Sequence, residues 1–482
     1  MIEIIDEQPV FEYVCIEDLV APDHLLRKID KHIDFNFIYD KVSHLYCHDN
    51  GRPAIDPVRF FKMLLIGYLH GIKSERQLVK EIHHNVAYRW FVGYNLTDKI
   101  PSHSTFSQNR KRRFKDASIF QEIFEYTVFL AMKSDLVDGK VLYTDSTHIK
   151  AHANHNKFER LEVEKTPQEY IDQLNEDINK DKVAHGKKPL PEKDKNIETK
   201  TILQSTIDPE SGFLKRDYKP LGFHFLDHRT VDGLNNVITD VFITPGNVND
   251  SSSYISRLLH QVQTFNFNVT AVGLDAGYNT KHICKTLCEL GIYATIGGKP
   301  IGGKKGYYKR DKFVYDSKED IYICPNNRVL TYFRTQKNGM KEYKTTKHDC
   351  MDCPYFEKCI SNKNGIKQIG RHVWEEFGEI VEENMKSVKG KEIFRKRKQT
   401  VECSFANSKE LHGYRYAKFI GIENMRFQAF MTAIAQNIKK MALIFDRWSK
   451  KCHIIIFYRI IRVFSSNIRN YRYKINEIRP AA

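Results

Sequence analysis

The chain has 482 residues, is 41% hydrophobic and 28% charged, and carries a formal net charge of +16 with an isoelectric point near 9.1. That profile is of a soluble protein too long for one ordinary core, so two or three domains are expected. No apolar stretch approaches the roughly 20 residues of a spanning helix, and the start MIEIIDEQPVFEYV lacks the basic and apolar parts of a secretory signal. A cytoplasmic protein without a membrane role is the expectation. The positive excess suits a polyanion, whose phosphates would dominate affinity and make it salt-sensitive.

In chain order, the first region reads as helical and basic. Asp56-Pro57 supplies an N-cap and a first-turn proline for PVRFFKMLLIGYLHG. Ser74, with Gln77 three residues on, reads as a capping box for a helix carrying Leu78 and Ile82. A third helix is predicted from Pro101-Ser102 through HSTFSQNRKRRF, bearing Gln108, Asn109, Arg110, Lys111, Arg112 and Arg113. Short helices with tight turns suggest a helix-turn-helix-like DNA reader over residues 1–135. The plainer alternative is a solvated basic face.

Three acids then stand in separate segments. Asp145 closes Val141-Leu142-Tyr143-Thr144, Asp275 closes Val272-Gly273-Leu274, and Glu402 lies in the helical stretch Thr400–Lys409. Carboxylates gathered at one point repel and raise each other's pKa unless cations lie between them. Two Mg²⁺ ions about 4 Å apart would neutralise them, one activating an attacking oxygen and one stabilising a leaving oxygen. Aspartates at matching levels of adjacent strands, about 4.8 Å apart, would bridge such a pair, with a helical glutamate as the third side. Taken singly, a strand-closing Asp is as readily a turn former or helix cap, and a helical Glu is usually a solvated one. Glu402, Ala406 and Lys409 share a helix face, beside the apolar face of Val401 and Phe405.

Between the aspartates, Phe213–Tyr218, Gly222–Val231 and Val237–Thr244 read as strands, with Asp232-Gly233 as a turn. Asp250 is expected to cap a helix through about Gln261, before the Asp275 strand and a fifth strand, Ile292–Ile296. This order makes the first and fourth strands neighbours. Residues 152–200, rich in Lys, Glu, Asp and Asn, are expected to form a mobile or helical excursion. A second insertion, 299–391, holds Cys324, Cys350, Cys353 and Cys359. In a cytoplasmic chain such a cluster points to structural Zn²⁺ or an iron–sulfur cluster. Reduced cysteines acting as small hydrophobes are the alternative, and His348 and His372 are substitute ligand candidates. A broadly apolar helix is predicted over Asn424–Trp448, with Met425, Ala429, Ile434, Ile438, Met441 and Phe445 inward, then a basic tail, 449–482.

The segments YTDSTHIKAHAN from Tyr143, TPGNVND from Thr244, GLDAGYNT from Gly273 and RKRKQTVECSFANSKELHGYRYAKF from Arg395 closely resemble bacterial insertion-sequence transposases of the DDE type, along nearly the whole chain. The resemblance implies an α/β fold: an RNase H-like mixed-sheet catalytic core (136–298 and 392–448), an all-α N-terminal DNA-binding domain and an inserted Cys-rich subdomain. It implies Asp145, Asp275 and Glu402 as catalytic ligands of two Mg²⁺ or Mn²⁺ ions, and Lys409 as a DNA contact near the cleavage site. Related enzymes place Tyr and Arg before the Glu where this chain has Arg395 and Lys398; Phe394 and Arg397 are the nearest substitutes. Arg397 and Lys398 are accordingly taken as DNA contacts. The implied partners are double-stranded DNA, as terminal inverted repeats and target, and further copies of the chain in a dimeric or higher synaptic complex near the bacterial nucleoid. The rival readings are an RNase H-like nuclease without strand transfer and a catalytically silent DNA-binding remnant of a mobile element.

Overall fold

The computed structural model describes residues 13–46, 54–114, 118–164, 170–191, 199–215, 221–300 and 302–476, and of Lys111, Glu164 and 452–476 the backbone alone. The chain divides into two compact units: Met1–Leu136 with Asn407–Lys418 and Glu423–Ala482, and Val137–Ala406 with Phe419–Ile422.

The first unit is helical. Helix Pro57–Leu69 starts where Asp56 accepts from the Arg59 amide at 2.9 Å, with proline in its first turn. Helix Glu75–His84 is capped by Ser74, which accepts from the Gln77 amide at 3.2 Å. The expected reciprocal arm of that box is not made; the Gln77 amide group bonds Glu81 at 2.6 Å, one turn on. A short helix, Val86–Val92, went unpredicted and ends at Gly93 in the left-handed conformation (φ 84°). Helix His103–Arg112 follows as expected and buries Phe106.

The final helix runs unbroken from Ile422 to Asn476, past the expected end at Trp448. No Gly or Pro interrupts that span. Met425, Ala429, Ile434, Ile438 and Met441 are buried, while Phe445 is half-buried against His32. Phe427 packs edge-on against Tyr68 and Phe120, and Phe430 meets Phe124. Those contacts hold the helix from Glu423 in the helical unit, which also takes Asn407–Lys418, whereas 392–448 had been expected to belong wholly to the core. The side chains of the basic tail beyond Lys451 lie outside the described residues.

The second unit is built on a six-stranded sheet. Its first strand, Val141–Lys150, pairs antiparallel with Gly222–Asp232 and parallel with Ala271–Leu274. Ile238–Pro245 and the short Gly212–Leu214 pair antiparallel with Gly222–Asp232, and Tyr293–Ile296 lies parallel beyond Ala271–Leu274. The first and fourth expected strands are therefore neighbours. Strand Gly212–Leu214 is shorter than predicted, and 216–220 lie outside the described residues. Asp250 does not cap the next helix, which begins at Tyr254 with Ser253 in the cap position.

The charged excursion is more ordered than its composition suggested. Phe158–Glu164 and Thr199–Ser205 form a two-stranded antiparallel sheet, and helix Ile171–Ala184 between them buries Leu174 and Ile178 against Trp374. Its polar side chains make specific contacts: Trp374 donates to Asp177 at 2.8 Å, Lys341 pairs with Asp181 at 2.6 Å and His185 with Asp320 at 2.7 Å. The excursion docks through charge as much as through apolar area. The second insertion forms a five-stranded antiparallel meander from Val314 to His372 around Phe313, Tyr322, Leu330, Tyr343 and Ile369.

Helix Glu375–Lys386 packs on the fifth strand and on helix Lys281–Glu289. Glu375, 4% exposed, accepts from Lys281 at 2.9 Å and Arg310 at 2.6 Å. Burial raises its carboxyl, but the two cations outweigh that and hold it down at about 2, below its usual 4.5. A depressed acid stabilises the fold above its unfolded pKa and loses that contribution as pH falls through its folded value. The contribution is about 3 kcal/mol. Urea denaturation of Glu375→Gln should show a deficit near neutral pH that narrows progressively between pH 4.5 and 2; a deficit independent of pH would contradict this account.

Candidate active site

The sheet register sets two of the three acids side by side. Tyr143 pairs with Gly273 and Thr144 with Leu274, so Asp145 and Asp275 are the next residues along parallel neighbours. Each caps the amide that follows it: Ser146 N–H donates to Asp145 at 2.8 Å and Ala276 N–H to Asp275 at 2.6 Å. Close backbone approach is required twice. A Cβ on Gly273 would come within 2.7 Å of the Tyr143 ring, and one on Gly297 within 2.8 Å of the Ala276 amide nitrogen.

Glu402 comes from helix Val401–Leu411, which presses Val401 and Phe405 inward and leaves Ala406 exposed, the division of faces expected. Its position against the sheet is fixed by Arg229, whose backbone pairs with that of Asp145 on the neighbouring strand. The Arg229 guanidinium is fully buried, pairs with Asp227 at 2.8 Å, donates to Ser404 at 3.0 Å and lies 4.6 Å from the centre of the Phe405 ring. The run FHFLDHRTVD was legible as a strand, but the purpose of Asp227 and Arg229 within it was not. Two charges inside a fully buried strand were the available signal.

The three predicted acids converge on one cation. Arg397 donates to Asp145 at 2.8 Å, pairs with Glu402 at 2.7 Å and reaches Asp275 at 4.0 Å. Its side chain is 11% exposed, against 18% for Asp145, 39% for Glu402 and 51% for Asp275. Burial pushes the Asp145 carboxyl up to about 6, against the pull of Arg397 and the Ser146 amide; the Asp275 and Glu402 charges push the same way as burial. Arg397, expected as a DNA contact, is thus placed among the carboxylates. Lys398 beside it is exposed.

The other candidates are spread more widely. Lys409 lies on the Glu402 helix, in the part that groups with the helical unit. On helix His103–Arg112, Asn109 bonds Thr105 and Arg113, and Arg110 pairs with Glu75 at 3.3 Å and bonds Asn424 at 3.2 Å. Arg113 lies over Tyr46. Asn109, Arg110 and Arg113 therefore hold the helical unit together, while Arg112 faces solvent. The Lys111 side chain lies outside the described residues.

Cys324, Cys350, Cys353 and Cys359 are free thiols within the inserted subdomain. Burial raises the Cys359 thiol, and the other three cysteines act on it in the same direction. Cys324 accepts from the amides of Asn326 and Arg328 at 3.4 and 3.3 Å, and Cys324 and Cys359 pack on the small core. Among the described residues, no group of three or more His, Cys, Asp or Glu side chains stands in an arrangement to hold a metal ion. His348 is exposed, and the His372 imidazole accepts from the Trp374 amide at 3.0 Å.

Two family models match the chain: Transposase domain (DUF772) over residues 14–112 and Transposase DDE domain over residues 323–442. A chain with both is a DNA-acting enzyme that cleaves strands and transfers them. The two matches together support an insertion-sequence transposase of the DDE type. The DDE domain implies dependence on a divalent metal ion. Among solved structures, the chain is similar to a piggyBac transposase in a synaptic complex with hairpin DNA, at 10% identity and a TM-score of 0.36 over 89% of this chain and 76% of that one. No curated protein matches. Among the described residues, no helix is long and apolar enough to cross a membrane.

Arg229→Ala leaves Asp227 buried without its partner, which costs about 3–5 kcal/mol. Chemical denaturation should show that loss. A change below about 1 kcal/mol would mean that the Arg229 contacts do not fix the Glu402 helix.

Proposed function

We propose that Asp145, Asp275 and Glu402 are the catalytic carboxylates of this transposase and hold two Mg²⁺ or Mn²⁺ ions at the end of an RNase H-like sheet. The observation that carries the reading is the convergence of all three on a single cation. Hard oxygen donors alone suit a hard divalent ion. The strand order, with the first strand between an antiparallel and a parallel neighbour, agrees with an RNase H-like core. When bound, the ions would supply an activated oxygen nucleophile and stabilisation of the leaving oxygen. The chain's own task is positioning: strand register sets the aspartates, and Arg229 sets the helix that presents Glu402.

The substrates in this reading are the terminal inverted repeats of the element and a target duplex, paired by two or more copies of the chain near the nucleoid. Lys398, Lys409 and the exposed Arg112 are the cations offered to phosphate, and the helical region carrying Arg112 serves end recognition. Hydrolysis at the element's end frees a 3′-hydroxyl, which then attacks the target phosphate in line, breaking its P–O3′ bond and releasing the target strand's 3′-hydroxyl. Asp145→Ala, Asp275→Ala and Glu402→Ala should each lower Mg²⁺-dependent end cleavage by about 10³-fold or more, with binding to end DNA retained. Full cleavage by any of the three removes that residue from the site.

A structural Zn²⁺ on Cys324, Cys350, Cys353 and Cys359 is a separate proposal. It is supported by the influence of Cys324, Cys350 and Cys353 on the Cys359 thiol and by the two amides that donate to Cys324; the thiols, not arranged for a metal as they stand, would have to close around the ion. Elemental analysis of the purified full chain should find one zinc per chain, lost in Cys353→Ser. A zinc-free folded protein would assign the cysteines to packing.

A further inference from the structure

We infer that Arg397 is the resident cation of the metal-free active centre and competes with divalent ions for the same three carboxylates. The inference rests on the proposed role of Asp145, Asp275 and Glu402 as metal ligands.

Among the described residues, the ion pairs of these three acids all run to Arg397. One guanidinium nitrogen meets Asp145 Oδ2, and another lies near both Glu402 Oε1 and Asp275 Oδ1. A divalent ion of Mg²⁺ size needs those oxygens at about 2.1 Å. Guanidinium and metal would then share one small, partly exposed volume, where like charges repel. Arginine cannot relieve this by losing its proton. The side chain has to move.

Two features suit it to moving. Arg397 opens a one-turn 3₁₀ segment, Arg397–Gln399, between helices Val388–Lys396 and Val401–Leu411, so its backbone lies at a junction and not within a long helix. Its Nε is buried with no hydrogen-bond partner, so the docked position leaves one donor unsatisfied. Once off the carboxylates, the planar fork is a ready ligand for a DNA phosphate. Metal and DNA binding are then linked through one side chain, and the linkage is reciprocal: metal releases Arg397 to the DNA, and DNA draws it off the metal's carboxylates. The alternative is a permanent structural ion pair, of the kind Arg229 makes with Asp227.

The test is Mn²⁺ binding to the full chain, read from the electron paramagnetic resonance signal of free Mn²⁺, with and without a duplex carrying the element's end. Arg397→Gln should bind Mn²⁺ about tenfold more tightly than the wild type without DNA, the size of an ordinary coupling between sites. Added duplex should tighten Mn²⁺ binding to the wild type and leave that of Arg397→Gln unchanged. Arg397→Lys covers the case in which the glutamine variant does not fold. A compact ammonium spans three carboxylates poorly, so this variant should tighten Mn²⁺ binding by a smaller factor. Unchanged or weaker Mn²⁺ binding by the arginine variants, with Asp145→Asn deficient in Mn²⁺, overturns the exchange and leaves the metal site standing. Wild-type Mn²⁺ affinity in Asp145→Asn overturns the metal-site reading itself, and the exchange with it.

Discussion

Like charges held at one point are the constraint around which the second unit is arranged. Three carboxylates meet where a parallel strand pair ends and a helix crosses, and such a meeting is unfavourable without a cation. Arg397 supplies that cation here. The cost of the arrangement is visible in Asp145, whose carboxyl is lifted to about 6 by burial even with a guanidinium in contact. In the proposed reading, divalent ions would set a stronger positive charge at the same place.

The scaffold answers that constraint with buried polar contacts as well as apolar packing. Strand Gly222–Asp232 is buried along its whole length yet contains Asp227, His228, Arg229 and Asp232. Arg229 uses the strand as an anchor and reaches Ser404 and Phe405 on the helix that bears Glu402. Glu375 does comparable work at the other end of the unit, tying helix Glu375–Lys386 to Lys281 of the core and Arg310 of the insertion. Both junctions are single charged groups, so both are sensitive to single changes.

Much of this was readable from residues alone, because strand patterns are local. The alternation and apolar runs around Asp145, Asp275 and the strands between them gave the sheet order, and the cap signals at Asp56 and Ser74 gave helix starts. What was not legible depended on contacts between distant segments. Residues 152–200 looked too polar to dock, yet Asp177 and Asp181 find Trp374 and Lys341 far along the chain. Arg397 looked like one cation among many in RKRKQ; only the folded chain distinguishes it from Lys396 and Lys398. Arg110 and Arg113, expected on a basic reading face, also bond within their own unit, which their place in a basic run did not reveal.

The chain order of the three acids has a consequence for synthesis. Asp145 and Asp275 leave the ribosome first, but Glu402 and its counter-cation Arg397 lie beyond the meander and the helices Glu375–Lys386 and Val388–Lys396 that follow it. Domains fold as they emerge, amino-terminal parts first. A polypeptide that stops between residues 276 and 396 therefore contains the amino-terminal helices and two aspartates, without the third carboxylate or the arginine. In the proposed reading such a product lacks part of the carboxylate set, which is complete only in the last fifth of translation.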